Sequence, residues 1–235
     1  MQKIHLSKAK KVKLEGLLKK YLDAGKTYDQ FSSCKKDAYL YTSSVGSRVC
    51  PYCNINYAYT VYEGYIARPH IDHFQPKSKH KSESLNQINL IPCCSTCNSS
   101  IKGDQDFSSE THIHPYLDDF NQIMCFTIQI GSTSYIDSNS FDIAFKSKPG
   151  ASASDINKAN NTIRDLALVE RYHYHKEDIV DVFKKAKYYG RSRIKEIEKL
   201  VKAKDLEIAL FSHRYEDINQ APLSKLKNDI LEIIL

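Results

Sequence analysis

Two CxxC pairs constrain this chain more than any other feature. Cys50-Pro-Tyr-Cys53 and Cys94-Ser-Thr-Cys97 stand about 40 residues apart. In each pair the two-residue gap lets both sulfurs reach one ion from a tight turn, and four thiolates make a closed, tetrahedral zinc site. Such a site staples the two ends of the intervening segment and holds strands where apolar core is short. Cys93 is the ambiguity: Cys94 keeps the spacing of the first pair, whereas Cys93 needs a three-residue gap. Cys34 and Cys125, the remaining two of seven cysteines, read as ordinary buried thiols. An odd count in paired spacing fits a reducing compartment and a metal better than a disulfide framework. With no secretory leader and no apolar run of the roughly 18 residues a membrane span needs, the expectation is a cytoplasmic protein without a membrane segment.

Between and just after the cysteine pairs lie two further runs. One is IDHFQPKS, residues 71–78, and the other is NLIPCCSTCNSSIKG, residues 89–103. The ordered pattern CxxC, DHxxPKS, NLxxxCxxCNxxxKG resembles the HNH endonucleases of the ββα-metal class, in their cysteine-bracketed subtype. The motif covers about a quarter of the chain. More loosely, the whole layout is similar to the small HNH effector nucleases that accompany an ATPase in Septu-type and retron-linked phage defence. The resemblance implies an α+β fold with a ββα-metal core and structural zinc knuckles, and a nuclease acting on DNA. It also implies that Asn89 braces the loop carrying His73, that Asn98 fills the last position of the motif, and that Lys102 serves as a phosphate contact or a structural pair.

The residues support that chemistry on their own. Phosphodiester hydrolysis needs a base for water, and a neutral imidazole at His73 suits proton transfer near pH 7. Asp72 offers a hard oxygen and Asn98 a neutral one, a donor set for Mg²⁺ or Mn²⁺ rather than for zinc. Such an ion polarises the phosphate and offsets charge on the departing oxygen. Lys77 and Lys79, in the polar loop after Asp72-His73, are candidate backbone-phosphate contacts, which supply affinity without base specificity. His114, in HPYLDD, resembles a segment that follows the core in related HNH proteins, where a histidine approaches the metal; a structural histidine before Pro115 is the alternative. His70 and His80 flank the motif, as phosphate contacts or as solvated side chains. His173 and His175 have no evident metal-binding partners.

Around this centre the chain divides into an N-terminal helical region (1–45), the zinc-framed core (46–120), a β-rich connector (121–150) and a C-terminal helical region (151–235). Residues 1–82 carry 15 Lys/Arg against 6 Asp/Glu, while residues 103–145 carry no Lys or Arg and 7 Asp/Glu. That asymmetry suggests a basic face near the site and a separate acidic surface. A helix is expected over 6–22, with Leu14, Leu17, Leu18, Tyr21 and Leu22 inward, its lysines either solvated or on phosphate, and Gly25 as the stop. The tyrosine-rich stretch 54–67 suits short strands, as do 68–72, 89–92, 124–130 and 141–145. Three apolar stripes after Asp155 suit helices, the first Ile156, Ala159, Ile163, Leu166 and Val169, the third ending on Leu200 and Val201. No helix-turn-helix, homeodomain or RNA-recognition signature is present. Two other readings stand beside a DNA nuclease. One is an RNase of the same fold acting on tRNA. The other is a non-catalytic subunit that docks nucleic acid or protein.

Overall fold

Ser7 opens the first helix by accepting the Lys10 amide hydrogen at 3.3 Å. Helix α1 spans Lys8–Asp23 and buries Leu14, Leu17, Leu18 and Tyr21, whereas Leu22, in its last turn, is exposed. The computed structural model describes residues 3–131, 137–201 and 218–234. Thr27 and Gln30 form a reciprocal capping box at the start of α2, Tyr28–Ser33, the arrangement that satisfies two orphan amides of a short helix. Helix α3, Lys35–Val45, ends at Gly46 with φ 72°, the left-handed conformation glycine adopts at helix ends. Phe31 joins the three helices, edge-on to Tyr21 at 5.4 Å and to Tyr41 at 5.8 Å.

The stretch 54–67 does not form the expected strands. It makes two isolated bridges, Val49 with Tyr57 and Val61 with Ala67. Tyr57, Tyr59 and Tyr62 are exposed, so these residues have no layer to pack on, and a two-stranded ribbon without a buried face is marginal in water. Strand β1, His70–His73, instead pairs antiparallel with β2, Leu90–Cys93, placing His70 opposite Cys93 and His73 opposite Leu90. A short helix, Thr96–Lys102, follows directly and packs on β1. It is wound wide: the Gly103 amide bonds the Asn98 carbonyl at 3.0 Å, the i→i+5 spacing of a π turn, which often marks functional sites.

A four-residue helix, α4 (Phe120–Ile123), leads into the hairpin of β3 (Met124–Ile130) and β4 (Phe141–Ser147), which pair in register along their length. Among the described residues the C-terminal helices are α5 (Ala153–Asp165), α6 (Leu168–His173), α7 (Lys176–Tyr188), α8 (Arg191–Val201) and α9 (Ser224–Ile234). The first expected stripe is interrupted by Ala167 at φ 48°, which turns the chain between α5 and α6 and leaves Val169 exposed. On the third, Ile194 is buried and Leu200 exposed, and the Val201 side chain lies outside the described residues. The mixed helix-and-sheet chain shares one apolar cluster running from Ile4 to Leu231, so all four expected segments contribute to it. Among the described residues, no helix is long and apolar enough to cross a membrane.

Candidate active site and metal centre

The loop at Cys50–Cys53 and the turn at Cys94–Cys97 bring their four sulfurs within 4.8 Å of one another, all buried. Tetrahedral zinc with bonds of about 2.3 Å needs sulfurs of this proximity, and the donor set fits that ion. Amides also reach the sulfurs: Asn56 Nδ2 and the Cys97 N–H each donate to Cys94 Sγ at 3.4 Å, and the Ile55 N–H donates to Cys53 Sγ at 3.4 Å. Arg171 Nη1 donates to Cys97 Sγ at 3.3 Å. Donors of this kind favour thiolate over thiol. The spacing ambiguity resolves toward Cys94, for Cys93 is buried on β2 outside the cluster. Cys34 and Cys125, expected as buried thiols, are only half-buried, since Cys34 caps the end of α2 and Cys125 lies on the face of β3 opposite buried Met124 and Phe126.

His73 sits at the end of β1, 8% exposed, with the Tyr28 ring edge-on at 4.2 Å. Its Nε2 lies 3.0 Å from the Ser84 carbonyl oxygen. A carbonyl only accepts, so Nε2 carries the proton and Nδ1 keeps its lone pair. Burial lowers the His73 pKa, and the positive charges of Lys77 and Lys102 act in the same direction. Asn89 ties down the loop between them: its Oδ1 accepts the Gln75 amide at 2.7 Å, and its Nδ2 donates to the carbonyls of Gln75 and Glu83 at 3.1 and 3.0 Å. Ser84 follows Glu83, so the same asparagine positions the carbonyl that holds the imidazole.

Asp72 is 4% exposed. Tyr52 donates its hydroxyl to Oδ2 at 2.6 Å, and the fully buried Lys102 ammonium lies 3.3 Å from Oδ1 and 3.2 Å from Oδ2. Lys102 also donates to the His73 carbonyl at 2.7 Å. The ammonium is therefore a structural pair, with no surface left for a phosphate. Desolvation pushes the Asp72 carboxyl up to about 6 even though Lys102 and Tyr52 pull it down. One turn before Lys102, Asn98 donates from Nδ2 to Ser99 Oγ at 3.2 Å and contacts His70 Nδ1 at 3.1 Å. Its Oδ1 has no hydrogen bond among the described residues. A half-buried amide oxygen left without a partner among the described residues is the kind of hard, neutral donor that a divalent cation takes.

Lys77 and Lys79 are exposed and ion-paired, with Asp29 at 2.8 Å and Asp106 at 3.1 Å. Such surface pairs are worth little and exchange readily for phosphate. His80 lies 3.5 Å from Asp106. His114 is engaged by other groups. It is buried against Phe74 at 4.2 Å, its Nδ1 accepts the Tyr116 amide at 3.2 Å, and the Ile88 carbonyl takes a hydrogen bond from the ring, so neither nitrogen is available as a ligand. His112 is likewise engaged, stacked on Phe107 at 3.7 Å and 2.9 Å from Asp165. Tyr28, Tyr52, Ser84 and Arg171 were not singled out from the sequence. The tyrosine in CPYC was the one local signal; Arg171 lies 74 positions from the sulfur it contacts, beyond any spacing rule.

The family model described as HNH endonuclease matches residues 50–104. Protein ea31 of Escherichia phage lambda is 38% identical over 72 residues, which is 29% of this chain and 21% of the phage protein. The match thus spans about a fifth of that relative's length. No solved structure matches the chain. The chain carries an HNH endonuclease domain over residues 50–104, framed by a buried four-cysteine cluster that could hold zinc.

Proposed function

We propose that the protein is a metal-dependent endonuclease that hydrolyses phosphodiester bonds of DNA through a ββα-metal centre made by β1, β2 and the Thr96–Lys102 helix. The observation that carries this reading is the His73 imidazole, locked by its Nε2–H bond to Ser84 with Nδ1 left to accept a proton. Nδ1 takes the proton of an attacking water, the water oxygen bonds to phosphorus, and the P–O bond to the sugar breaks. Burial keeps the ring neutral near pH 7, so the base is in its working form. Asp72 and Asn98 would hold Mg²⁺ or Mn²⁺, which when bound polarises the phosphate and stabilises the departing oxygen. Asn89 keeps Ser84 and His73 in register, and Lys77 and Lys79 hold flanking phosphates.

The looser likeness to Septu-type and retron-linked effectors adds an ATPase partner and a role in defence against phage. That part rests on the motif arrangement, and co-purification with an ATPase encoded beside it tests it. Cleavage is tested with plasmid DNA and total tRNA in Mg²⁺, Mn²⁺ or EDTA. The expected result is nicked plasmid with either metal, intact tRNA, and no cleavage by His73→Ala at unchanged zinc content. Wild-type cleavage by His73→Ala would remove the base assignment, and cut tRNA with intact plasmid would make the protein an RNase.

A further inference from the structure

The bond between Asn98 and His70 extends this site beyond its motif residues. Asn98 is fixed at its backbone, its amide bonding the Cys94 carbonyl at 3.0 Å and its carbonyl accepting from Gly103 at 3.0 Å. The side chain still has one soft torsion, rotation of the terminal amide, which exchanges Oδ1 for Nδ2. An exchanged amide would aim N–H hydrogens at a cation and lose its value as a ligand. His70 lies on the same face of β1 as Asp72, two residues earlier, because side chains alternate along a strand. It is exposed, so no demand of the core explains an imidazole there, and its Nδ1 is 3.1 Å from Asn98 Nδ2.

We infer that His70 is a positioning residue for the divalent cation: its Nδ1 accepts from Asn98 Nδ2 and thereby holds Asn98 Oδ1 as the ligand atom. This rests on the reading of Asn98 as a metal ligand. Both amide hydrogens then have acceptors, Nδ1 of His70 and Oγ of Ser99, which leaves the oxygen as the side-chain polar atom without a partner among the described residues. The arrangement requires the His70 tautomer protonated at Nε2. It is the outer hydrogen bonding that orients many metal ligands, and loss of such partners weakens metal binding by roughly 10- to 100-fold.

The test is Mn²⁺ affinity of the full zinc-loaded chain, measured by electron paramagnetic resonance in His70→Ala, His70→Asn and Asn98→Ala. Asn offers an oxygen at the same distance from the backbone as His Nδ1, so it keeps the acceptor. His70→Ala is expected to bind Mn²⁺ roughly 10- to 100-fold more weakly, and His70→Asn to recover most of that loss. Nitrogen-15 shifts of His70 should report the Nε2–H tautomer. Unchanged Mn²⁺ affinity in His70→Ala, or an equal loss in His70→Asn, overturns the inference. So does a His70→Ala variant whose KM for DNA rises while Mn²⁺ affinity stays, because that is a phosphate contact. If Asn98→Ala itself binds Mn²⁺ like wild type, the metal assignment falls first and the role of His70 falls with it.

Discussion

Lys102 places its ammonium 3.2 Å from the Asp72 carboxylate in a fully buried pair, and the carboxyl is nevertheless pushed up to about 6. Burial therefore outweighs the attraction, which is the usual fate of charges taken out of water. The pair orients Asp72 without making it a strong source of stability. Replacing Lys102 by Met removes the one cationic partner and leaves a buried carboxylate with the Tyr52 hydroxyl and the His73 backbone amide. Breaking a buried pair in this way costs about 3–5 kcal/mol. Urea denaturation should show that loss in Lys102→Met, together with weaker tethering of His73, whose carbonyl the same ammonium holds. A loss below about 1 kcal/mol, the level of an exposed pair, would mean that Asp72 is hydrated in solution.

Acid stability separates two buried groups that titrate in the same window with opposite sign. Burial lowers His114 from 6.5 to about 4, so its contribution is complete above pH 6.5 and is lost as pH falls toward 4. The difference amounts to roughly 3 kcal/mol. Asp72 is raised from 3.8 to about 6, so its penalty is complete above pH 6 and disappears as pH falls below 4. The two offset each other in the wild type. His114→Phe removes only the first, and its stability relative to wild type should improve by about 2–3 kcal/mol between pH 7 and pH 4.5. Parallel pH curves for the two proteins would show that His114 is hydrated or protonated in the fold.

The cysteine frame makes a sharp distinction between neighbours. Cys94→Ser should lose the zinc ion and, through Asn98 next to Cys97, its Mn²⁺ binding as well. Cys93→Ser should keep one zinc per chain, because Cys93 lies outside the sulfur cluster. Elemental analysis of the purified variants reads this directly, and loss of zinc from Cys93→Ser with retention in Cys94→Ser would reverse the assignment.

How much of this was legible in the sequence follows from the range of each interaction. The four clustered sulfurs were readable because the two residues of each pair have a short fixed spacing, whereas Asp72-His73 and Asn98 stood out as members of an ordered motif. α1 and the β3–β4 hairpin were readable from periodicity, since a face packed on a core imposes one. The stretch 54–67 had a strand-like composition, but Tyr57, Tyr59 and Tyr62 face solvent, and composition does not report whether a covering layer exists. Lys102 was left between phosphate contact and structural pair because burial decides between them, and burial is a tertiary property. Arg171 on Cys97 and Asn54 on α9 join residues more than 70 positions apart, where no local pattern applies.

Asn54, immediately after the first cysteine pair, carries the last expectation. It is fully buried with φ 54°. Its Nδ2 donates to the Ile218 carbonyl at 2.8 Å, its Oδ1 accepts the Lys225 amide at 3.1 Å, and its carbonyl accepts the Leu223 amide at 2.7 Å. One residue thus caps the start of α9 and fixes the loop of the zinc knuckle. Asn tolerates the left-handed conformation, glycine adopts it freely, and alanine does so at a cost of about 1 kcal/mol. Asn54→Gly loses the side-chain bonds alone and leaves buried groups unsatisfied, a loss of about 2–4 kcal/mol. Asn54→Ala loses the same bonds and adds the backbone strain, so it should be less stable than Asn54→Gly by about 1 kcal/mol. Hydrogen exchange should locate the damage in both halves of the contact, with faster exchange at the α9 amides and at Ile55. Protection changes confined to α9 would show that the helix docks on the knuckle without stabilising it.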